Sequence, residues 1–178
     1  EKELYLNICE EISFYTKIII SNAKTIARLD SILSLATATF KNGWSKPVVN
    51  DGVKISFLES SHPIVESNIG KNMFIKNDIF LSNDEDQIAI ITGPNMSGKS
   101  TYIRQAALLV ILSQIGSFIP AKNSIVGIID KIFTRAGLSD DISGGNSTFM
   151  IEMLENASIL NQSTNRSLAI LDEIGRGT

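Results

Sequence analysis

Residues 93–100 read GPNMSGKS, and this stretch decides what the rest of the sequence is taken to be. It fits G-x-x-x-x-G-K-[ST], the pattern of a phosphate-binding P-loop. The run before it, QIAIIT at residues 87–92, is apolar, as expected of a buried parallel strand. The run after it, YIRQAALLVILSQIG, predicts a helix that Gly116 ends. Strand, glycine turn and helix in this order are the setting that the motif needs.

The residue types of the motif suit a nucleotide triphosphate. Gly93 and Gly98 allow a tight turn because no Cβ is in the way, and successive N–H groups then point inward at an anion. The following helix adds its positive N-terminal end. Lys99 brings a charge to the outer phosphates, the Ser100 hydroxyl is suited to bind Mg²⁺, and Thr101 adds a hydroxyl for the inner phosphate.

A second acidic element lies near the end of the chain. The apolar run SLAIL, residues 167–171, predicts a short strand that ends in Asp172 and Glu173. This is the pattern of a Walker B element, since ligands bind at the carboxyl ends of strands in open α/β sheets. Asp172 would hold Mg²⁺, and Glu173 would orient or deprotonate the attacking water. The alternative is an ordinary turn after a strand.

Bulk composition excludes several classes of function. The chain has 178 residues, 43% of them hydrophobic, with a net charge of −3, so overall charge gives no surface for a polyanion. One cysteine, Cys9, allows no internal disulfide, and no apolar run approaches the length of a membrane span. Because the chain begins at Glu1 and stops after a glycine-rich turn, we expect a fragment of a longer protein.

The first 40 residues predict helix, because apolar side chains recur at steps of three and four without Pro or Gly. Three interpretations stay open for it: a long lever or connector, two shorter helices, or a plain bundle helix. Asn42-Gly43 should end it. Further on, Val53, Ile55 and Phe57 alternate with polar residues and predict a half-buried strand.

Several other residues have either an ordinary structural interpretation or a functional one. The only histidine, His62, precedes a proline, and this context favours a hydrogen-bonded loop position over a catalytic role. For Phe74, a core position is favoured over stacking on a base.

After the motif, residues 125–129 and 131–135 are β-like runs. The loop 136–147 opens into a helix from Thr148 to about residue 161, capped by Ser147 or Asn146. That helix start is equally consistent with an ordinary cap and with a second anion-sensing site.

Three longer motifs resemble the ATPase domain of the MutS family of DNA mismatch-repair proteins. They are TGPNMSGKSTYIRQ, FTRAGLSDDISGGNSTFMIEM and LAILDEIGRGT, in the order and spacing of that family, and the resemblance covers the chain from about residue 48 to residue 178. The helical residues 1–40 resemble the helix that leads from the lever and clamp region into that domain. The sequence departs from the family at Ser61, where Arg is usual, and at Ser97, where many members have Gly.

The resemblance implies a fold and a set of site residues. The fold would be an α/β P-loop NTPase of the ATP-binding-cassette type, with an N-terminal long-helix segment and a truncated sheet. Residues 1–46 would be a helical connector and residues 47–178 an ATPase domain, incomplete at its C-terminus. Glu173 and Lys99 would be catalytic, and Ser100 and Asp172 would bind Mg²⁺. The implied ATP- and ADP-binding residues are Gly93, Pro94, Asn95, Met96, Ser97, Gly98, Lys99, Ser100, Thr101, Phe74 and Ser147.

Individual roles follow from the same resemblance. Asn95 would lie by the γ-phosphate, Phe74 would stack on the adenine, and Ser147 would reach the γ-phosphate bound in the opposite subunit. The whole protein would form a homodimer or a paralogue heterodimer through the ATPase domain and recognise mispaired double-stranded DNA. It would then switch to a sliding clamp on ATP binding and recruit a MutL-type partner.

Some of what the family carries is not in this sequence. The mismatch-reading Phe-x-Glu element, the clamp tip and the segment after GRGT are absent, so the chain alone should not bind mismatches and should hydrolyse ATP poorly. Two alternatives stay open: another cassette ATPase or MutS-like homologue without mismatch recognition, or a nucleotide-binding module with no turnover. We expect a cytoplasmic, nucleoid-associated bacterial protein, or a nuclear one if eukaryotic.

Overall fold

A computed structural model of the chain describes residues 1–135 and 148–172. The chain divides into two units, Glu1–Asn42 and Gly43–Thr178. Among the described residues, no helix combines the length and the apolar character needed to cross a bilayer.

The first unit consists of two helices, α1 (Lys2–Ser13) and α2 (Thr16–Asn42). The interruption has a local cause. The Ser13 hydroxyl donates to the carbonyl of Glu10 at 2.7 Å, and the Tyr15 amide bonds back three residues to Ile12 at 2.9 Å. A serine that bonds to the preceding turn competes with the helix ladder. Of the open interpretations, two shorter helices is confirmed, and α2 ends as predicted before Gly43, whose φ is +65°.

The second unit is an α/β arrangement. Its described elements are, in chain order, β1 (Val48–Asn50), β2 (Ile55–Ser60), α3 (Pro63–Ile69), β3 (Asn77–Leu81), α4 (Lys99–Gln114), β4 (Asn123–Gly127), β5 (Lys131–Arg135), α5 (Thr148–Gln162) and β6 (Ser167–Leu171). A four-stranded sheet has the order β1-β4-β2-β3, and β5 and β6 form a separate pair. In the larger sheet β1 and β4 are parallel, whereas β2 is antiparallel to both of its neighbours. β5 and β6 are parallel over their full lengths.

One apolar core joins both sheets to α4. Phe57 of β2, Val126 of β4 and Leu109 of α4 are completely buried, and Ile170 of β6 belongs to the same cluster. Each such side chain contributes about 1.5–3 kcal/mol when it leaves water. The core therefore holds α4 against the strands, and the glycine-rich stretch leads into the start of this helix.

Several predicted elements are confirmed. The alternating strand forms as β2, with Ile55 and Phe57 buried. The helix after the motif forms as α4, and Gly116 follows it at a φ of +86°. Residues 125–127 of the first predicted run lie in β4, which ends before Ile128, and the run 131–135 is β5. The helix from Thr148 and the strand SLAIL are α5 and β6.

The predicted fold class, a P-loop NTPase of the ATP-binding-cassette type, is wrong for the structure that forms. Residues 87–92, which should have been its buried parallel strand, form no strand, and Ile88 and Ile90 are 81% and 84% exposed. An apolar strand of that kind needs a hydrogen-bonded neighbour and covered faces. No described strand pairs with this run. What forms is a small mixed sheet, a parallel pair and the helices packed on them.

Candidate functional site

The glycine turn, residues 93–98, leads directly into α4. Gly98 occupies the N-cap position with φ +93°, and Met96 is a non-glycine residue with φ +64°. A Cβ at Gly93 would come within 2.9 Å of the Ser97 hydroxyl, so a larger residue there would displace that side chain. Left-handed residues next to a helix start expose backbone N–H groups on one side of a turn, which is an anion-binding geometry. The first turn of α4 carries no acidic residue that would offset its positive end.

The ammonium group of Lys99 closes the glycine turn. Its Nζ atom donates to the carbonyl oxygens of Gly93 at 2.9 Å and Pro94 at 2.8 Å. An open hollow of about 270 Å³ lies beside it. The hollow is lined by Asn95, Met96, Gly98, Lys99, Ser100 and Thr101. A cation held only by exposed carbonyls can exchange them for an anion in the hollow, because Lys is a flexible point charge with three donors.

Asp172 lies against the helix that the glycine turn opens. It follows β6, it is 9% exposed, and its backbone N–H donates to the Arg135 carbonyl at 2.9 Å. Its carboxylate is 3.4 Å from the guanidinium of Arg104 in α4. Ser100 precedes Arg104 by four residues, so the two share a helix face. The carboxylate thus contacts a side chain that leaves α4 one helical turn beyond Ser100.

Phe74 lies in the connection between α3 and β3. It is half-buried, whereas its neighbours Met73 and Ile75 are 73% and 84% exposed. Two of the predicted site residues, Ser147 and Glu173, lie outside the described residues. The structure places Lys99 and Ser100 at the start of α4 and joins Asp172 to Arg104 in the same helix. The roles of these residues and of Phe74, Ser147 and Glu173 stay predictions.

His62 has a structural position, in agreement with the interpretation that the sequence favours. It is the N-cap of α3, where its Nδ1 atom accepts the N–H of Val65 at 3.3 Å, and Pro63 occupies the first helical position. Burial lowers the pKa of His62, and the charge of Arg104 lowers it further. A neutral ring is required for this cap, because protonated Nδ1 cannot accept.

The residues that hold these parts in place were not predicted from the sequence. Arg104 was not singled out, although its spacing of four from Ser100 was a usable signal. Arg135 and Glu152 form a buried ion pair at 2.7 Å that joins β5 to α5, and Glu155 adds a second carboxylate at 3.2 Å. Nothing in the local pattern reveals such a pair, because the partners are brought together only by packing.

The class of protein follows from this arrangement together with sequence comparison. The second unit has an α/β arrangement with a glycine turn of anion-binding geometry. A lysine follows the turn as the first residue of α4, and a buried carboxylate contacts an arginine of α4. The family model for MutS domain V matches residues 89–178, and the chain belongs to that family.

Curated relatives agree over the whole of this chain. It is 48% identical to the DNA mismatch repair protein MutS of Acetivibrio thermocellus, 49% to that of Protochlamydia amoebophila and 50% to that of Ruminiclostridium cellulolyticum. Each alignment covers 100% of this chain but only 20%, 21% and 20% of the relative. The chain thus spans about a fifth of the length of the relatives that it matches.

Proposed function

We propose that this chain is the ATP-binding and ATP-hydrolysing part of a DNA mismatch-repair protein. One observation carries the proposal: a buried carboxylate, Asp172, lies against the helix that the glycine turn opens. An anion-binding helix start and an acid that can hold a cation are the two halves of a metal–nucleotide site. The family and the printed names of the relatives supply the mismatch-repair context.

ATP would be held by the glycine turn and the start of α4. Backbone N–H groups of the turn and the positive end of the helix suit the phosphates. Lys99 would leave the carbonyls of Gly93 and Pro94 to donate to the outer phosphate oxygens. Asn95 would donate its side-chain amide near the terminal phosphate, and Thr101 would donate its hydroxyl to the inner one.

The residues present fit Mg²⁺ bound together with a nucleotide. Within the described residues no group of three or more His, Cys, Asp or Glu side chains could form a metal cage of its own. Mg²⁺ is usually held by one or two carboxylates together with substrate phosphates and water. Asp172 would supply the carboxylate and Ser100 a hydroxyl oxygen, and the nucleotide and water would supply the remaining oxygens. When bound, Mg²⁺ would neutralise phosphate charge. Asp172 would have to exchange its pairing with Arg104 for the metal.

Hydrolysis would need a group that activates water. Glu173 follows Asp172 directly and is the residue we assign as the general base. Ser147 would reach the terminal phosphate bound by the opposite subunit of a homodimer or paralogue heterodimer, and Phe74 would stack on the adenine. The whole protein would bind mispaired double-stranded DNA, form a sliding clamp on ATP binding, recruit a MutL-type partner and act in the bacterial cytoplasm.

The proposal is tested in the full-length protein that contains this chain by replacing Lys99 with Ala. ATP binding should weaken roughly 10- to 100-fold, because hydrogen bonds to a charged group contribute about 1.5–3 kcal/mol. Lys46→Ala, at an exposed lysine outside the hollow, is the matched control and should bind like the wild type. Equal ATP affinity of the Lys99→Ala protein and the wild type would refute the assigned site.

A second variant separates binding from turnover. Glu173→Ala should keep ATP affinity within a few-fold and reduce phosphate release by roughly 10²- to 10⁴-fold, the usual contribution of a general base. Undiminished steady-state hydrolysis in this variant would mean that another group activates the water.

A further inference from the structure

Helix α4 is tied to the start of β3 by two polar links on one of its faces. The Tyr102 hydroxyl donates to the backbone carbonyl of Asp78 at 2.8 Å. One turn later, the Gln105 amide donates to the Ser60 hydroxyl at 2.8 Å, and that hydroxyl donates to the carbonyl of Asn77 at 2.7 Å. Positions 102 and 105 are neighbours on a helix surface. Both links therefore end on the two residues that begin β3.

The second link continues toward Phe74. The Asn77 side-chain amide donates to the carbonyl of Ile75 at 2.9 Å, and Ile75 is the residue after Phe74. Gln105 and Ser60 are completely buried. Since a buried polar group is costly to leave unpaired, the bond from Gln105 to Ser60 holds its geometry more firmly than the exposed bond from Asn77 to Ile75. Through Asn77, these bonds link α4 to the carbonyl of Ile75, the residue after Phe74.

An irregularity in β2 places Ser60 for this role. The pairing of β2 with β3 shifts between Phe57 and Ser60, and Glu59 has a φ of +45°, a strained value for a residue with a Cβ. The Glu59 amide is held by the Asp78 carboxylate at 2.7 Å. Such strain persists only where surrounding contacts over-determine it. Asp78 therefore receives bonds from the bulge through its side chain and from α4 through its carbonyl.

We propose that Tyr102 and Gln105 are positioning residues that set the distance between Phe74 and the glycine turn, so that one nucleotide meets both. The inference rests on the proposed function, in which Phe74 contacts the base and the turn contacts the phosphates. Tyr102 lies three residues after Lys99, at the end of α4 that would bind the phosphates under the proposed function. Burial raises the pKa of Tyr102, and the Asp78 carboxylate raises it further, so the hydroxyl stays protonated and keeps donating.

The test compares ATP with inorganic tripolyphosphate, which has phosphates and no base, in the full-length protein. Tyr102→Phe removes only the hydroxyl. It should weaken ATP binding about 2- to 10-fold, the contribution of one hydrogen bond, and leave tripolyphosphate binding unchanged. In a Phe74→Ala background the same change should have no effect on ATP affinity, because the base contact through which Tyr102 acts is already lost.

Two further variants guard against a loss of stability alone. Ser113→Ala removes a buried hydroxyl of α4 that bonds only within its own helix, to Leu109 at 2.7 Å. It should lower the Tm without changing the ratio of ATP to tripolyphosphate affinity. Gln105→Met, which keeps the side-chain length, should lower that ratio in the same direction as Tyr102→Phe.

The outcomes separate this inference from the proposed function. If the wild type binds neither ATP nor tripolyphosphate, the proposed function fails. If the wild type binds both and Tyr102→Phe weakens both equally, or if its effect persists in the Phe74→Ala background, the positioning role is overturned while the proposed function stands.

Discussion

Two apolar runs of similar length, residues 87–92 and β6, end in the two halves of the candidate site, and only one of them is a strand. β6 pairs with β5 along its whole length, and Ile170 is 7% exposed. The run 87–92 has no described partner, and Ile90 is 84% exposed. Both runs start in the same neighbourhood, because the Asn83 side chain donates to the Asn165 carbonyl at 2.7 Å.

This contrast shows that an apolar run becomes a strand only where a neighbouring strand supplies its hydrogen bonds. The start of β6 is fixed by Asp130, whose carboxylate accepts a hydrogen bond from the Thr164 hydroxyl at 2.7 Å. Its end is fixed by the Asp172 amide, which donates to the Arg135 carbonyl. Before residues 87–92, the turn at residues 82–86 is fixed by a hydrogen bond from the Ser82 amide to the Asp86 carbonyl at 3.0 Å. Composition alone does not distinguish these two cases.

The largest effect should come from the buried ion pair that supports the β6 region. Glu152→Ala leaves the guanidinium of Arg135 buried, with the half-exposed Glu155 as its one carboxylate partner among residues 1–135 and 148–172, and should cost about 3–5 kcal/mol of unfolding free energy. Denaturant unfolding can be followed by the fluorescence of Trp44, the one tryptophan of the chain. Glu155→Ala is the matched control and should cost much less. Equal losses would mean that the burial of Glu152 is not what matters.

A direct comparison of the two runs comes next in size. Ile170→Ala should cost about 2–5 kcal/mol, as expected for a buried isoleucine. Ile90→Ala should stay within about 0.5 kcal/mol, as expected for an exposed position. Both are measured by the same unfolding assay on this chain. A cost at Ile90 that approaches that at Ile170 would show that residues 87–92 are covered in solution, and the contrast between the runs would disappear.

The pH dependence of stability tests the surroundings of Arg104, which joins α4 to the end of β6. Because the folded-state pKa of His62 is lowered, its contribution to stability is complete above the unfolded value of about 6.5 and is lost as the pH falls from there to the folded pKa. His62→Asn keeps an N-cap acceptor that does not titrate. Its unfolding free energy should therefore fall less than that of the wild type below pH 6.5. Parallel profiles would contradict a buried neutral His62.

The smallest effect is expected for the ion pair between α4 and the end of β6. Arg104→Gln should cost about 1 kcal/mol or less, since the arginine side chain is 53% exposed and such pairs contribute little. The difference from the wild type should shrink in high salt because the pair is screened. A loss above about 2 kcal/mol that salt does not alter would indicate that Asp172 depends on Arg104 for its burial.

Local features of the site were predictable from the sequence, and its long-range contacts were not. Gly98 and Gly116 were assigned to turns, and both have positive φ at the ends of α4. The strand before Asp172 was predicted with its correct bounds. By contrast, the contact of Arg104 with Asp172 joins residues 68 positions apart, and no periodic pattern encodes such a pairing.

Residue types and short spacings were enough to identify the family, the helix periods and the candidate residues for binding phosphate and a cation. Three features became known only from the folded chain. They are which apolar runs form strands, the antiparallel direction of β2 relative to its neighbours, and the links from Tyr102 and Gln105 of α4 to β3. Those outcomes depend on hydrogen-bonding partners far away in the chain. Burial and pairing are properties of two segments at once, and neither segment alone specifies them.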